Sequence, residues 1–274
     1  IRPWRIRSPS VSGMRDRIGR QLMRLSGASR LQPYLVDLIE RIERLSNDEL
    51  RQRQQQQYLG LALLRARHPD LFDPNELDLS ASELSVFSQN GEDGVLLEIL
   101  DRVGTDTKYF VEFGAGDGSE NCCSLLADVL RWRGVFGELD DGRFSRLRAK
   151  YHNNDNVSTV NLAITPENVV DFLQSAGAPP ELDVLSIDVD GTDFWIWQAV
   201  EGYRPRIVII EYNSLLDATK SLVQPREAPA WDHTTYFGAS VGAMSDLAQT
   251  KGYTLVHLEL VGANAFFVRD DLLW

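Results

Sequence analysis

Acidic residues crowd the point where an apolar run ends. Leu182 to Ile187 reads as a buried strand, and Asp188-Val189-Asp190-Gly191-Thr192-Asp193 follows it directly. Carboxylates this close repel one another, and burial without a partner raises their pKa values. Such a set persists most easily where a cation or ligand donors compensate it. A second apolar run, Arg206 to Ile210, ends in Glu211-Tyr212-Asn213. With the two runs as adjacent strands, Asp188, Asp190, Glu211 and Asn213 converge on one sheet edge. Hard oxygen donors of this kind suit Mg2+ or Ca2+. The plainer reading is that Asp190 and Asp193 cap the following helix, a common role for Asp.

The second concentration of chemistry is Tyr109-Phe110-Val111-Glu112-Phe113-Gly114-Ala115-Gly116-Asp117-Gly118-Ser119-Glu120-Asn121. An apolar run ends in an acid, glycines alternate, and polar residues open a helix-like segment. Glycine is needed where backbone lies close to a ligand or takes positive φ. Nucleotide-type cofactors bind at such turns, at the carboxyl edge of a parallel sheet. The spacing Glu-x-Gly-x-Gly-x-Gly differs from the dinucleotide fingerprint G-x-G-x-x-G. Glu138 ends the next apolar run, where an acid can accept both ribose hydroxyls of an adenosine. A structural loop and a surface acid are the plain alternatives.

The glycine pattern resembles motif I of the class I S-adenosylmethionine (SAM)-dependent methyltransferases. Ser88-Gln89-Asn90-Gly91-Glu92-Asp93, just ahead of the first strand, resembles a signature of the FkbM-like members. The resemblance covers Ser85 to the C-terminus. It implies methyl transfer from SAM to an acceptor hydroxyl, with Gln89, Glu112, Gly114, Gly116, Gly118, Glu138 and Asp188 at the cofactor. The acids after the fourth strand are similar to those of metal-dependent sugar O-methyltransferases of the macrocin type. In that comparison Asp188, Asp190 and Glu211 would hold Mg2+ or orient the acceptor, with Asp188 catalytic. The match is partial, because Glu211-Tyr212-Asn213 stands where that group has an acid pair.

A long aromatic loop, Trp231-Asp232-His233-Thr234-Thr235-Tyr236-Phe237, belongs beside the same edge. Long loops there often act as lids or substrate platforms. His233 is the best-placed general base, since a histidine's ordinary pKa lies near neutrality. Trp231 and Tyr236 can stack on a sugar or aromatic acceptor, beside Asp190 and Asn213.

The elements that must position these residues alternate strand and helix, which argues for a parallel sheet with helices on both faces. Strands are expected at Tyr109–Phe113, Gly134–Glu138, Val157–Leu162, Leu182–Ile187 and Arg206–Ile210. Helices are expected near Val95–Val103, Glu120–Arg131, Gly142–Tyr151, Pro166–Ser175 and Ser240–Thr250, with another carrying Phe194, Trp195, Trp197 and Val200. Thr254–Leu260 and Ala263–Arg269 read as a closing hairpin around Val261-Gly262. Five β/α units and a final hairpin are the class I methyltransferase layout. The resemblance therefore implies an α/β, Rossmann-like seven-stranded sheet of order 3-2-1-4-5-7-6 with its last strand antiparallel. Residues 85–274 form that domain, 31–84 a helical N-terminal region and 1–30 a basic arm.

Composition bounds the function. The chain has 274 residues, 43% hydrophobic and 25% charged, as in an ordinary globular protein. A formal net charge of −12 argues against a nucleic-acid substrate held through its phosphates. No apolar run is long enough to span a bilayer, and Ile1-Arg2-Pro3-Trp4-Arg5 lacks a signal-peptide core. Adjacent Cys122 and Cys123 make a poor disulfide and suit a reduced, cytoplasmic protein. The expected partner is a small-molecule acceptor, a sugar or natural product. The N-terminal helices suggest a homo-oligomer. Two other classes remain in view: a Rossmann-type oxidoreductase using a dinucleotide through Glu138, and a non-catalytic scaffold on a methyltransferase core.

Overall fold

In the computed structural model, residues 79–227, 235 and 237–274 are described. The expected basic arm, most of the helical N-terminal region with its oligomer contacts, and Trp231, His233 and Tyr236 lie outside the described residues.

The described chain forms one seven-stranded sheet of order β3-β2-β1-β4-β5-β7-β6, as expected. Its strands are β1 (Tyr109–Phe113), β2 (Arg133–Glu138), β3 (Val157–Asn161), β4 (Val184–Ile187), β5 (Ile207–Glu211), β6 (Tyr253–Leu258) and β7 (Asn264–Arg269). β1 pairs in parallel with β2 and β4, and β4 with β5. Only β7 reverses direction, pairing antiparallel with both β5 and β6. Central strands buried on both faces read as continuous apolar runs. Accordingly, every residue of β1, β4 and β7 is buried.

Six helices are described: α1 (Glu92–Val103), α2 (Ser124–Asp128), α3 (Asp141–Tyr151), α4 (Val169–Ser175), α5 (Asp193–Ala199) and α6 (Val241–Lys251). They separate two cores, one per sheet face. Val111, Leu185, Ile210 and Trp197 belong to the first, Phe110, Val184, Ile209 and Leu96 to the second. The alternation of side chains along each strand produces this split. The helix after the glycine turn is expected over Glu120–Arg131 but spans only Ser124–Asp128. Its would-be first turn is drawn aside, because the amides of Cys122 and Cys123 donate to Glu112.

Trp197 shows how the site's supports are built. Its ring lies 4.9 Å from Phe267 and 5.9 Å from Tyr253, and it is 1% exposed. Trp197 therefore clamps α5 onto the closing hairpin. Trp197→Ala is expected to cost about 3–5 kcal/mol, the usual range for an emptied aromatic site. Urea unfolding of the two proteins measures this.

Candidate functional site

All five parallel strands deliver their C-terminal ends to one rim. The glycine turn stands at its centre, between β1 and α2. Gly114 has φ 77°, and a Cβ there would lie 1.6 Å from the carbonyl oxygen of Asp188. The turn therefore abuts the end of β4, and only glycine permits that approach. Gly116 has φ 58°, and no atom of the described residues lies within 4 Å of the place a methyl would take there. Open space on that side is what a ligand lying on the turn requires. Gly118, expected beside the cofactor, is turned into the protein. It is buried, a Cβ there would meet Leu147 at 2.9 Å, and its carbonyl accepts from Lys150 Nζ at 2.5 Å.

Two acids shape the turn. Glu138 ends β2 and accepts from the amides of Gly116 and Asp140, each at 2.7 Å. One partner per oxygen leaves each a further lone pair for a ligand hydroxyl. Glu112, expected at the cofactor, does not reach the open rim. It is 3% exposed, and its carboxylate accepts from the Cys122 and Cys123 amides at 2.9 Å. Burial pushes its pKa up to about 7, against the pull of those amides. Cys122 and Cys123 are free and buried.

Beside the turn, one carboxylate oxygen from each of Asp188, Asp190 and Glu211 lies within 4.8 Å of the others. These three follow β4 or end β5, the neighbours that the sheet order places side by side. Asp188 is accessible to solvent yet flanked by protein, as in a cleft. Its carboxyl is held well above the usual range by burial, then by Asp193, Asp190, Glu112 and Glu92. Glu211 is pushed up to about 10 by burial and then by Asp193, Asp188 and Asp190. Its Oε2 is buried and has no hydrogen-bond partner among the described residues. Asp190 adopts φ 58°, a conformation Asp tolerates better than most residues. Asp193 holds that loop, accepting from Val189 at 2.7 Å and Gly191 at 2.8 Å.

Asn213, expected to face an acceptor, is instead consumed by its own loop. Its Nδ2 donates to the carbonyls of Thr235 and Phe237, and its Oδ1 accepts from Leu215 N. At 1% exposure it has no donor left to offer. Gln89 stands exposed on the loop before α1.

Sequence reasoning missed a polar network behind the acids. Glu92 is 1% exposed and accepts from Asn264 Nδ2 at 2.9 Å. Asn264 is the cross-strand partner of Glu211. Glu259 accepts from the amides of Val261, Ala263 and Asn264, and burial lifts its carboxyl to about 7. The signal was the acid–amide composition of the closing hairpin, whose partners lie far away in sequence.

No family model matches the chain, and no curated protein matches it. Among solved structures it is similar to the METTL16 methyltransferase domain, at 11% identity and TM-score 0.41, covering 65% of this chain and 66% of that one. It is also similar to Aeropyrum pernix fibrillarin with natively bound S-adenosyl-L-methionine, at 12% identity and TM-score 0.42, covering 61% and 68%. The N-terminal domain of EvdMO1 with SAH bound matches at 13% identity and TM-score 0.42, covering 70% and 82%. The chain thus spans about two thirds of the length of the first two. Likeness at this level assigns no residue a role.

Proposed function

We propose that this chain is a SAM-dependent methyltransferase acting on a hydroxyl of a non-anionic small molecule, a sugar or natural product. The observation that carries this reading is the pairing at the rim: an open glycine at Gly116 beside Glu138, next to the Asp188–Asp190–Glu211 group. Adenosine recognition needs the first pair, and a cationic methyl donor is favoured by the second. The resemblance to FkbM-like methyltransferases supports the same reading.

Bound SAM would supply an electrophilic methyl group at a sulfonium. The protein's share is alignment and exclusion of water. Gly114 and Gly116 shape the bed, Glu138 offers its free lone pairs to the ribose hydroxyls, and Glu112 fixes the turn from beneath. Asp188, Asp190 and Glu211 fit a hard divalent cation, because all three donate oxygen and Glu211 Oε2 lacks a partner among the described residues. Such a cation would lower the pKa of a coordinated acceptor hydroxyl. Without one, Asp188 is the carboxylate placed to take the hydroxyl proton. The carboxylates at the rim disfavour phosphorylated or carboxylated acceptors.

Isothermal titration calorimetry with S-adenosylhomocysteine (SAH) and with NAD tests the class. Saturable binding of SAH with no heat from NAD is expected. Binding of NAD alone would replace this reading with that of an oxidoreductase, and binding of neither would leave a scaffold.

A further inference from the structure

The far limb of the glycine turn is gripped from behind by one helix. Ala115 to Gly118 form a turn closed by the Gly118 amide, which donates to the Ala115 carbonyl at 3.2 Å. Three successive residues of it are each held from β2 or α3. The Gly116 amide donates to Glu138, Arg146 Nε donates to the Asp117 carboxylate at 3.0 Å, and Lys150 Nζ donates to the Gly118 carbonyl. The Arg146 pair is exposed, and a pair of that kind contributes little. Lys150 differs. Its ammonium also donates to Ser124 Oγ at 3.1 Å and pairs with Asp128 Oδ2 at 2.9 Å. An ammonium carries three protons, and here three oxygens lie within reach, one on the turn and two on α2. The stem is used as well. A Cβ at Gly118 would lie 3.1 Å from Lys150 Cδ, so the turn rests directly on α3.

The same contacts reach both acids that shape the turn. Ser124 Oγ donates to Asn121 Oδ1, and Asn121 Nδ2 donates to Glu112 at 3.4 Å. Tyr151, the last residue of α3, places its hydroxyl 3.1 Å from Ser124 Oγ and stacks on Phe136 of β2, 4.9 Å between ring centres. At the other end of α3, the capping residue Asp140 gives its amide to Glu138, and its side chain accepts from Arg143 N at 2.7 Å. One helix therefore starts beside Glu138 and ends against the far limb of the turn. Glu138, Gly116, Gly118 and Lys150 close a ring through it.

We infer that Lys150 is a positioning residue for the ligand bed: its ammonium holds the Gly118 carbonyl, and with it the turn Ala115–Gly118, in the setting where the Gly116 amide meets Glu138. A lysine suits this task. Its compact charge and rotatable donors can meet acceptors in three directions, which the flat fork of an arginine cannot. A bed held before the ligand arrives lowers the ordering cost of binding. The effect on ligand rests on the methyltransferase reading; the hold on the turn does not.

The test uses the full chain and compares wild type, K150M, R143A and K150C, the last before and after treatment with 2-bromoethylamine. Methionine keeps the stem and loses the donors. Alkylation of the new thiol displaces bromide and rebuilds an ammonium at lysine's length. Cys122 and Cys123 are buried, and treated wild type is the control. Amide hydrogen exchange without ligand reads the hold. In K150M the amides of Gly116 and Gly118 are expected to exchange about tenfold faster relative to those of β4, which report general stability. Calorimetry with SAH reads the consequence. K150M is expected to bind about fivefold to tenfold more weakly, and alkylated K150C to return to within about twofold of wild type. R143A removes a charge from the exposed first turn of the same helix and is expected to bind SAH as wild type does. Unchanged relative exchange at Gly116 and Gly118 in K150M would overturn the hold. Three results would overturn the effect on ligand: wild-type SAH affinity in K150M, a loss that alkylation confirmed by mass does not repair, or an equal loss in R143A. Should K150M fail to fold, S124A removes one of the same bonds. A smaller acceleration at the same two amides supports the hold, and none overturns it. If wild type binds no SAH, the methyltransferase reading falls and the effect on ligand falls with it, while exchange at Gly116 and Gly118 still decides the role of Lys150.

Discussion

Alanine at Gly114 is expected to wreck the fold, and alanine at Gly116 only the ligand site. Their surroundings differ sharply although both have positive φ. At Gly114 the added methyl would lie 1.6 Å from the Asp188 carbonyl, so β1 and β4 must part to admit it. A clash of this size on a central parallel pair is expected to cost about 4 kcal/mol or more, the exceptional end of single-residue effects. At Gly116 no atom of the described residues lies within 4 Å of the new methyl. The remaining penalty is the left-handed backbone alone, about 1–2 kcal/mol for a non-glycine residue. The space the methyl fills is the space assigned to the ligand. Gly116→Ala should therefore fold, unfold within a few degrees of wild type, and bind SAH at least tenfold more weakly, a change of about 1.4 kcal/mol. Thermal melts and calorimetry on the two variants read both halves. Equal SAH affinity in Gly116→Ala and wild type would remove the ligand from that face of the turn.

Glu211→Gln is expected to stabilise the ion-free protein at pH 8 and to abolish its response to divalent cations. The sign follows from the direction of the shift. In the unfolded chain the carboxyl titrates near its ordinary value of 4.5; in the fold it is pushed up to about 10 by burial and three neighbouring acids. A raised carboxyl favours the folded state fully only below the unfolded value. That advantage is lost as pH rises from about 4.5 toward 10. Glutamine has no proton to hold, so the gain from the substitution should be absent near pH 4 and grow toward pH 8. About 1–3 kcal/mol is a fair scale after allowing for relaxation and partial solvation. Wild type should recover the same stability when Mg2+ or Ca2+ is added, with Asp188 and Asp190 as further ligands. A variant melting curve that still shifts with Mg2+ would take Glu211 out of the cation site. A wild-type curve indifferent to both ions would leave the acids to a proton alone.

The strand order was legible because it depends on signals that survive without tertiary context. Buried parallel strands show as apolar runs, and the hairpin shows as two such runs around Val261-Gly262. The convergence of Asp188, Asp190 and Glu211 was also legible, since adjacent parallel strands must end on one rim. What could not be read was where each acid spends its hydrogen bonds. Glu112 looks like a rim residue by position, yet its pleat points it beneath the turn, toward amides at Cys122 and Cys123. Glu92 and Asp93 stand in the first turn of α1, and beyond that they bind the amides of the preceding loop, with Glu92 reaching across to Asn264. Asn213 fails for the same reason: buried amides must be satisfied, and its nearest claimants were the carbonyls of Thr235 and Phe237.

The most direct test is the amide resonance of Gly116 in a 15N–1H correlation spectrum. That N–H is hydrogen-bonded to Glu138 and lies on the open face of the turn. Saturable movement of the Gly116 and Asp140 resonances with SAH, and none with NAD, is the expected result. Resonances that stay fixed at millimolar SAH would contradict the account, because nothing could then lie across the rim where the adenosine is placed.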